Sequence, residues 1–105
     1  MEKLNNTYNV IVSERAANML VSHAAFLAEI SEKAADRLVV SFEKAVESLK
    51  LMPYRCPVFN AHIPKNTYRR LMFESRYLII YQIQDDNVYI DYVIDCRQDY
   101  EWMVR

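Results

Sequence analysis

The 105-residue chain contains no glycine. Any backbone position that needs φ > 0 must therefore fall to another residue, and Asn and Asp tolerate that region best. Asn60, Asn66, Asp86 and Asn87 are the expected holders. Histidine and cysteine are scarce too, with two of each and no CxxC pair, so the spacing of a zinc site is missing. Cys56 and Cys96 are expected to be free thiols, because two cysteines without a secretory leader point to a reducing compartment. Nowhere is there an apolar run of about 18 residues, which excludes a membrane-spanning helix. The opening "MEKLNNTYNVIVSERA" also lacks the apolar core of a signal peptide. These absences together predict a cytoplasmic protein with no membrane association, no metal and no small-molecule cofactor.

What is present suffices for a folded domain. Hydrophobic residues make up 52% and charged residues 26%, a balance that excludes a mostly disordered chain. The length supports one hydrophobic core and one domain, residues 1–105. Tyr8 to Val12, "YNVIV", reads as a strand, and Ser13 as the N-cap of a helix beginning at Glu14. Ala16, Leu20, His23, Ala24 and Leu27 then recur at three- and four-residue steps, one face of an amphipathic helix that ends at Glu29 to Ser31. Ser31 opens a second helix with Ala35, Leu38, Val39, Phe42, Ala45, Val46 and Leu49 on one stripe, and Pro53 stops it. So short a link makes the two helices an antiparallel hairpin facing a common sheet.

"MPYRCPVFNAHIPK", residues 52–65, holds all three prolines and reads as an irregular connection. Three β-rich runs follow, Tyr68 to Phe73, Tyr77 to Gln84 and Asn87 to Ile94, as an antiparallel meander. The expected fold is α+β: an N-terminal strand, then a helix hairpin packed on one face of a twisted sheet that the three-stranded meander completes. The other face is expected to be only partly covered. "RQDYEWMVR" at the end is open between a short helix and a tail.

The formal charge of −1 hides a polarised chain. Residues 51–76 carry Arg55, Lys65, Arg69, Arg70 and Arg76 against Glu74 alone, a net of +4, while residues 77–105 carry a net of −4. Arginine's planar fork suits carboxylates and phosphates. The plain reading is a solvated patch balanced by Asp91, Asp95 and Asp99; the functional one is a docking surface for an acidic partner or a phosphate backbone. Neighbouring strand residues point to opposite faces, so Arg69 and Arg70 cannot share a surface. Leu71 and Phe73 are the better core pair, which puts Arg70 with Met72 on the open face and Arg69 on the helix side.

The ordered set "YRRLMFESRYLIIYQIQDDNVYIDYVIDCRQDY", with its Tyr-Arg start, "YLIIYQI" strand, acidic turn and closing "RQDY", resembles the RelE/ParE superfamily of type II toxins, in particular the plasmid-stabilisation branch. "LMPYRCP" is similar to the link after the second helix in that branch. The resemblance runs from about Tyr8 to Tyr100. It implies a small bacterial toxin that inhibits growth and is held inactive by a cognate antitoxin wrapped around it, with Arg69, Arg70, Arg76 and Trp102 as candidate partner-binding residues.

Members of the superfamily divide into inhibitors of DNA gyrase and ribosome-dependent mRNA endonucleases, on one fold. For an endonuclease the resemblance carries catalytic roles to Arg69 or Arg70 and to Arg97, with Tyr100 loosely aligned and His62 a candidate base. The arginine expected after the tyrosine of the next strand is Leu78 here. Arginine is also a poor general base for RNA cleavage. The favoured expectation is thus a toxin that acts by binding a protein target, with gyrase as the candidate. The ribosome with its mRNA is the alternative target, and an inactive relative that only binds a partner is a third reading. Tyrosines on the strands, His23 on the helix stripe and the Asp85-Asp86 turn are expected to be structural.

Overall fold

A computed structural model describes residues 7–59 and 68–97. The elements run β1 (Asn9–Val12), α1 (Glu14–Ala28), α2 (Glu32–Leu51), a single 3-10 turn (Pro53–Arg55), β2 (Val58–Phe59), β3 (Tyr68–Phe73), β4 (Tyr77–Gln84) and β5 (Asn87–Asp95). Both helices start as their sequences predict. The Ser13 side chain accepts from the Ala16 N–H at 3.0 Å and the Ser31 side chain from the Ala34 N–H at 3.2 Å, each satisfying an amide that the helix itself leaves bare. Pro53 follows α2 closely and opens the 3-10 turn.

The strands form one mixed sheet in the order β1-β5-β4-β3-β2. β1 lies parallel to β5 and every other pairing is antiparallel. The two helices are the crossover that carries the chain away from β1, and they cover one face. Their stripes bury Ala16, Leu38, Phe42, Ala45 and Leu49 against Phe73, Tyr77, Ile79, Tyr81, Val88, Ile90 and Val93. Removing that much apolar surface from water is the main favourable term in the fold.

Three features differ from the sequence reading. The connection after α2 contains β2, which pairs Val58 with Arg69 and Phe59 with Tyr68; two residues are too few to leave a periodic signal. The far face of the sheet is not open at its centre, because Phe59, Tyr68, Leu78, Ile80 and Ile94 are buried there as a second apolar cluster. Thirdly, positive φ falls on Glu74 (51°), Ser75 (64°) and Asp85 (55°), not on Asp86 or Asn87; Asn60 and Asn66 lie outside the described residues.

Glu74 and Ser75 form the β3–β4 turn, where strand twist favours left-handed residues whatever their side chains. The Glu74 carboxylate compensates by reaching α2, accepting from Ser41 Oγ at 2.5 Å and from Arg37 Nε at 3.4 Å. The Ser75 side chain has no such anchor among the described residues. A left-handed non-glycine residue costs roughly 1–2 kcal/mol, and glycine's greater freedom in the unfolded chain returns roughly 0.5–1 of it. Ser75→Gly is expected to stabilise the protein by about 0.5–1 kcal/mol and raise Tm by a few degrees in a thermal melt. An unchanged or lower Tm would show that the turn is unstrained.

Candidate docking face on the third strand

The sequence gathers arginines around β3, and the fold sends them to different tasks. β3 alternates as expected: Leu71 and Phe73 pack in the helix-side core, while Arg70 and Met72 are exposed. Arg69 shares the helix side and is half-buried. Its guanidinium donates to the Cys56 carbonyl at 2.6 Å and the Tyr54 carbonyl at 3.3 Å, and lies 5.2 Å from the centre of the Tyr54 ring. Arg69 therefore ties the 3-10 turn to the sheet.

Arg76 is also committed within the fold. Its Nη2 meets Asp95 Oδ2 at 3.0 Å, and its guanidinium sits 5.1 Å from the Tyr77 ring centre. Asp95 is almost fully buried and accepts a second bond from the Arg97 backbone N–H at 2.9 Å. Burial pushes the Asp95 carboxyl up, but the hydrogen bonds from Arg76 and the Arg97 amide, with the charge of Arg76, outweigh it and leave the group below its ordinary range.

Arg70 and Arg97 differ from these two, since neither guanidinium makes a hydrogen bond or ion pair with a described residue. They do not converge. Arg70 pairs with Ile80, and Tyr77 of the same strand pairs with Asp95 of β5, so two strand spacings and three residues of rise already separate Arg70 from Asp95 by roughly 14 Å. Arg97 lies two residues further on. Leu78 is buried in the second apolar cluster. His62, Tyr100 and Trp102 lie outside the described residues.

His23 is half-buried, with Nε2 2.9 Å from the Val93 carbonyl and its ring 5.4 Å from that of Tyr77. The carbonyl can only accept, so this nitrogen carries the proton. Neither Cys56 nor Cys96 is in a disulfide. Among the described residues no group of three or more His, Cys, Asp or Glu side chains is placed to hold a metal ion.

An open groove of about 560 Å³ runs beside β3, lined by Arg55, Cys56, Pro57, Arg70, Leu71, Met72 and Leu78. Leu51, Met52, Tyr54 and Val58, all exposed, belong to the same stretch of chain, from the last residue of α2 to the first of β2. Arg55 is held back from it in part, donating to Ser48 Oγ at 2.8 Å. Among the described residues the arrangement offers a cation and apolar side chains, with the buried Cys56 thiol as the one nucleophilic group in the lining, which suits recognition of another chain.

Sequence reasoning missed a polar hub on the far face. A bulge between Ile80 and Tyr81 leaves Asp91 as the extra residue of β5. The Asp91 carboxylate accepts from the Tyr68 hydroxyl at 2.7 Å and Gln82 Nε2 at 2.8 Å, while its carbonyl accepts from Arg15 Nε at 3.2 Å. Arg15 in turn lies 4.2 Å from the Tyr92 ring centre. Nothing in a single sequence marks a bulge that lacks glycine.

The split between committed and free arginines predicts a split in stability. Arg69→Ala is expected to cost about 1–3 kcal/mol in denaturant unfolding, as for hydrogen bonds made by a charged group, and Arg70→Ala to stay within about 0.5 kcal/mol of the parent. Equal losses would contradict the assignment. The lowered Asp95 carboxyl stabilises the fold fully above the unfolded value near 3.9, and that contribution is lost as pH falls through the lower folded value. Asp95→Asn is expected to cost about 3 kcal/mol at pH 7, the low end for a broken buried pair because Arg76 is partly exposed. The gap should narrow below about pH 4; a gap independent of pH would show that the charge contributes nothing.

Comparison with known proteins places this geometry in context. Residues 10–100 match the family described as "ParE toxin of type II toxin-antitoxin system, parDE". Among solved structures the chain is similar to one titled "Chromosomal ParDE TA system from P. aeruginosa", with a TM-score of 0.68 at 14% identity over 84% of this chain and 95% of that one. At that identity the likeness shows the shared fold. No curated protein matches the sequence.

Proposed function

Because the chain belongs to the ParE toxin family of type II toxin-antitoxin systems, a family whose toxins have an antitoxin partner, we propose that it arrests bacterial growth by binding a protein target, DNA gyrase, and that its antitoxin neutralises it by docking along β3. The observation that carries this reading is the sorting of the arginines. Arg69 and Arg76 are consumed in holding the fold, and Arg70 alone of the three offers a free guanidinium beside exposed apolar side chains. Protein interfaces draw their energy from such combinations of arginine with desolvated apolar anchors.

Cleavage of RNA would ask for more. It needs a base for the 2′-hydroxyl and cations converging on one phosphate, whereas Arg70 and Arg97 stand apart and Leu78 is buried where that branch of the superfamily carries arginine. The gyrase reading is tested by inducing the protein in bacteria without the product of the neighbouring gene. Labelled thymidine and labelled amino acid incorporation are followed over the first minutes. DNA synthesis is expected to fall first, with protein synthesis intact. An early fall in protein synthesis alone would replace this reading with the ribosomal endonuclease, and no fall in either would leave a partner-binding relative without toxicity.

A further inference from the structure

The sheet ends differently at its two edges. β2 is two residues long and follows Pro57, which accepts from the Arg70 N–H at 3.1 Å and has no N–H to return. Short strands and proline are usual devices for keeping an edge from pairing with another chain. The β1 edge has neither. Asn9 and Ser13 donate their N–H groups to the carbonyls of Asp86 and Ile90, each at 2.9 Å, so strand alternation turns the N–H and carbonyl of Val10 and of Val12 outward. No described residue bonds these four groups. The parallel register with β5 runs unbroken from Asn9 to Val12, with no bulge to bend the edge away. From Asn5 to Ser13 the chain carries no charge, and Ile11 and Val12 are 42% and 36% exposed.

We propose that the β1 edge pairs with β1 of a second copy of this chain, antiparallel about a two-fold axis at Ile11, which joins two five-stranded sheets into one. The edge is its own complement. Under that symmetry Val10 of each protomer faces Val12 of the other, and each such pair exchanges two N–H to carbonyl bonds, satisfying the outward groups of both copies. Ile11 meets its own image as a non-hydrogen-bonded pair with Cα atoms roughly 4.5 Å apart, the closer kind of antiparallel pair. Val10 packs in the helix-side core, so Ile11 lies on the face away from the helices, where the two isoleucines cover one another. Charge selects the same occupant. In this register Glu14 of one copy falls beside Tyr8 of the other, and Tyr8 donates its N–H to the Lys50 carbonyl at 2.8 Å. Glu14 and Lys50 of opposite copies are thereby brought within side-chain reach, once on each side of the axis. A strand of four residues buries less than the roughly 800 Å² per partner of a stable interface, so the pairing is reversible and set by concentration. The groove that holds Arg70 is at the opposite edge and stays accessible. The pairing does not rest on the function proposed above.

The test follows the mass of the full chain by sedimentation between about 5 and about 500 μM, a range that spans weak interfaces of this size, and hydrogen exchange at the Val10 and Val12 amides by NMR. The mass is expected to rise from one chain toward two, and both amides to slow roughly fivefold or more over the same range. Ile11→Lys places two ammonium groups at the axis on a side chain already in water, and is expected to keep the chain monomeric throughout with its Tm within a few degrees of the parent. Glu14→Lys is expected to raise the dimer Kd by roughly threefold or more, and the double change Glu14→Lys/Lys50→Glu to restore it. A chain that stays monomeric at the higher concentration overturns the proposal. A dimer that Ile11→Lys leaves intact overturns it too, by placing the contact elsewhere. Slow exchange of both amides already at the lower concentration, with the mass of one chain, would show the edge covered from within the same chain, and the second copy would be excluded.

Discussion

β4 is buried on both faces along Tyr77, Leu78, Ile79, Ile80 and Tyr81, and the rest of the molecule is arranged around that constraint. A strand in the middle of a sheet can be apolar on both sides only if each side is covered. The helix hairpin covers one side, and on the other Leu78 and Ile80 are buried in a cluster with Phe59, Tyr68 and Ile94. The most deeply buried hydroxyl on this strand is accounted for as well. The Tyr81 hydroxyl is buried and donates to the Pro53 carbonyl at 2.6 Å, and burial raises its pKa well above the ordinary phenol range, so it stays a donor. One bond therefore connects the centre of the sheet to the turn that ends α2, the same turn that Arg69 grips from β3.

Charge is allocated in the same economical way. A basic segment in a chain of net charge −1 looks from composition like a single patch, yet its members answer to different demands. Arg69 satisfies carbonyls that an irregular turn leaves bare, Arg76 neutralises a buried carboxylate, and Arg70 meets neither need. The turn residue Glu74 is spent on α2. The exposed guanidinium of Arg70 is left on β3 without a task in the described fold.

Much of the architecture was legible in the sequence because the signals were local. Serine caps, a three-and-four periodicity and the stop at Pro53 placed both helices, and alternation placed the meander within a residue or two. The split between Arg69 and Arg70 followed from strand alternation once Leu71 and Phe73 were recognised as core. Other features depend on partners distant in the chain. Asp91 became a hub only because a bulge turned it toward Tyr68 and Gln82, and Glu74 accepts its strained backbone because α2 lies within reach. β2 is too short to show a pattern at all. Pro57 was visible as a loop former, but that it deprives Arg70 of a bond needs the register of β2 on β3.

The parallel pairing of β1 with β5 joins residues near the two ends of the described chain, Asn9 to Asn87 and Val12 to Ile90. During synthesis β1 is made well before β5, its strand partner in the sheet. A chain interrupted before Asn87 would carry β1 unpaired and leave one whole edge of β4 bare. Contacts of such long sequence separation are entropically the last to be rewarded. The sheet is therefore finished only once β5 has been made, and products truncated before Asn87 lack that finished surface.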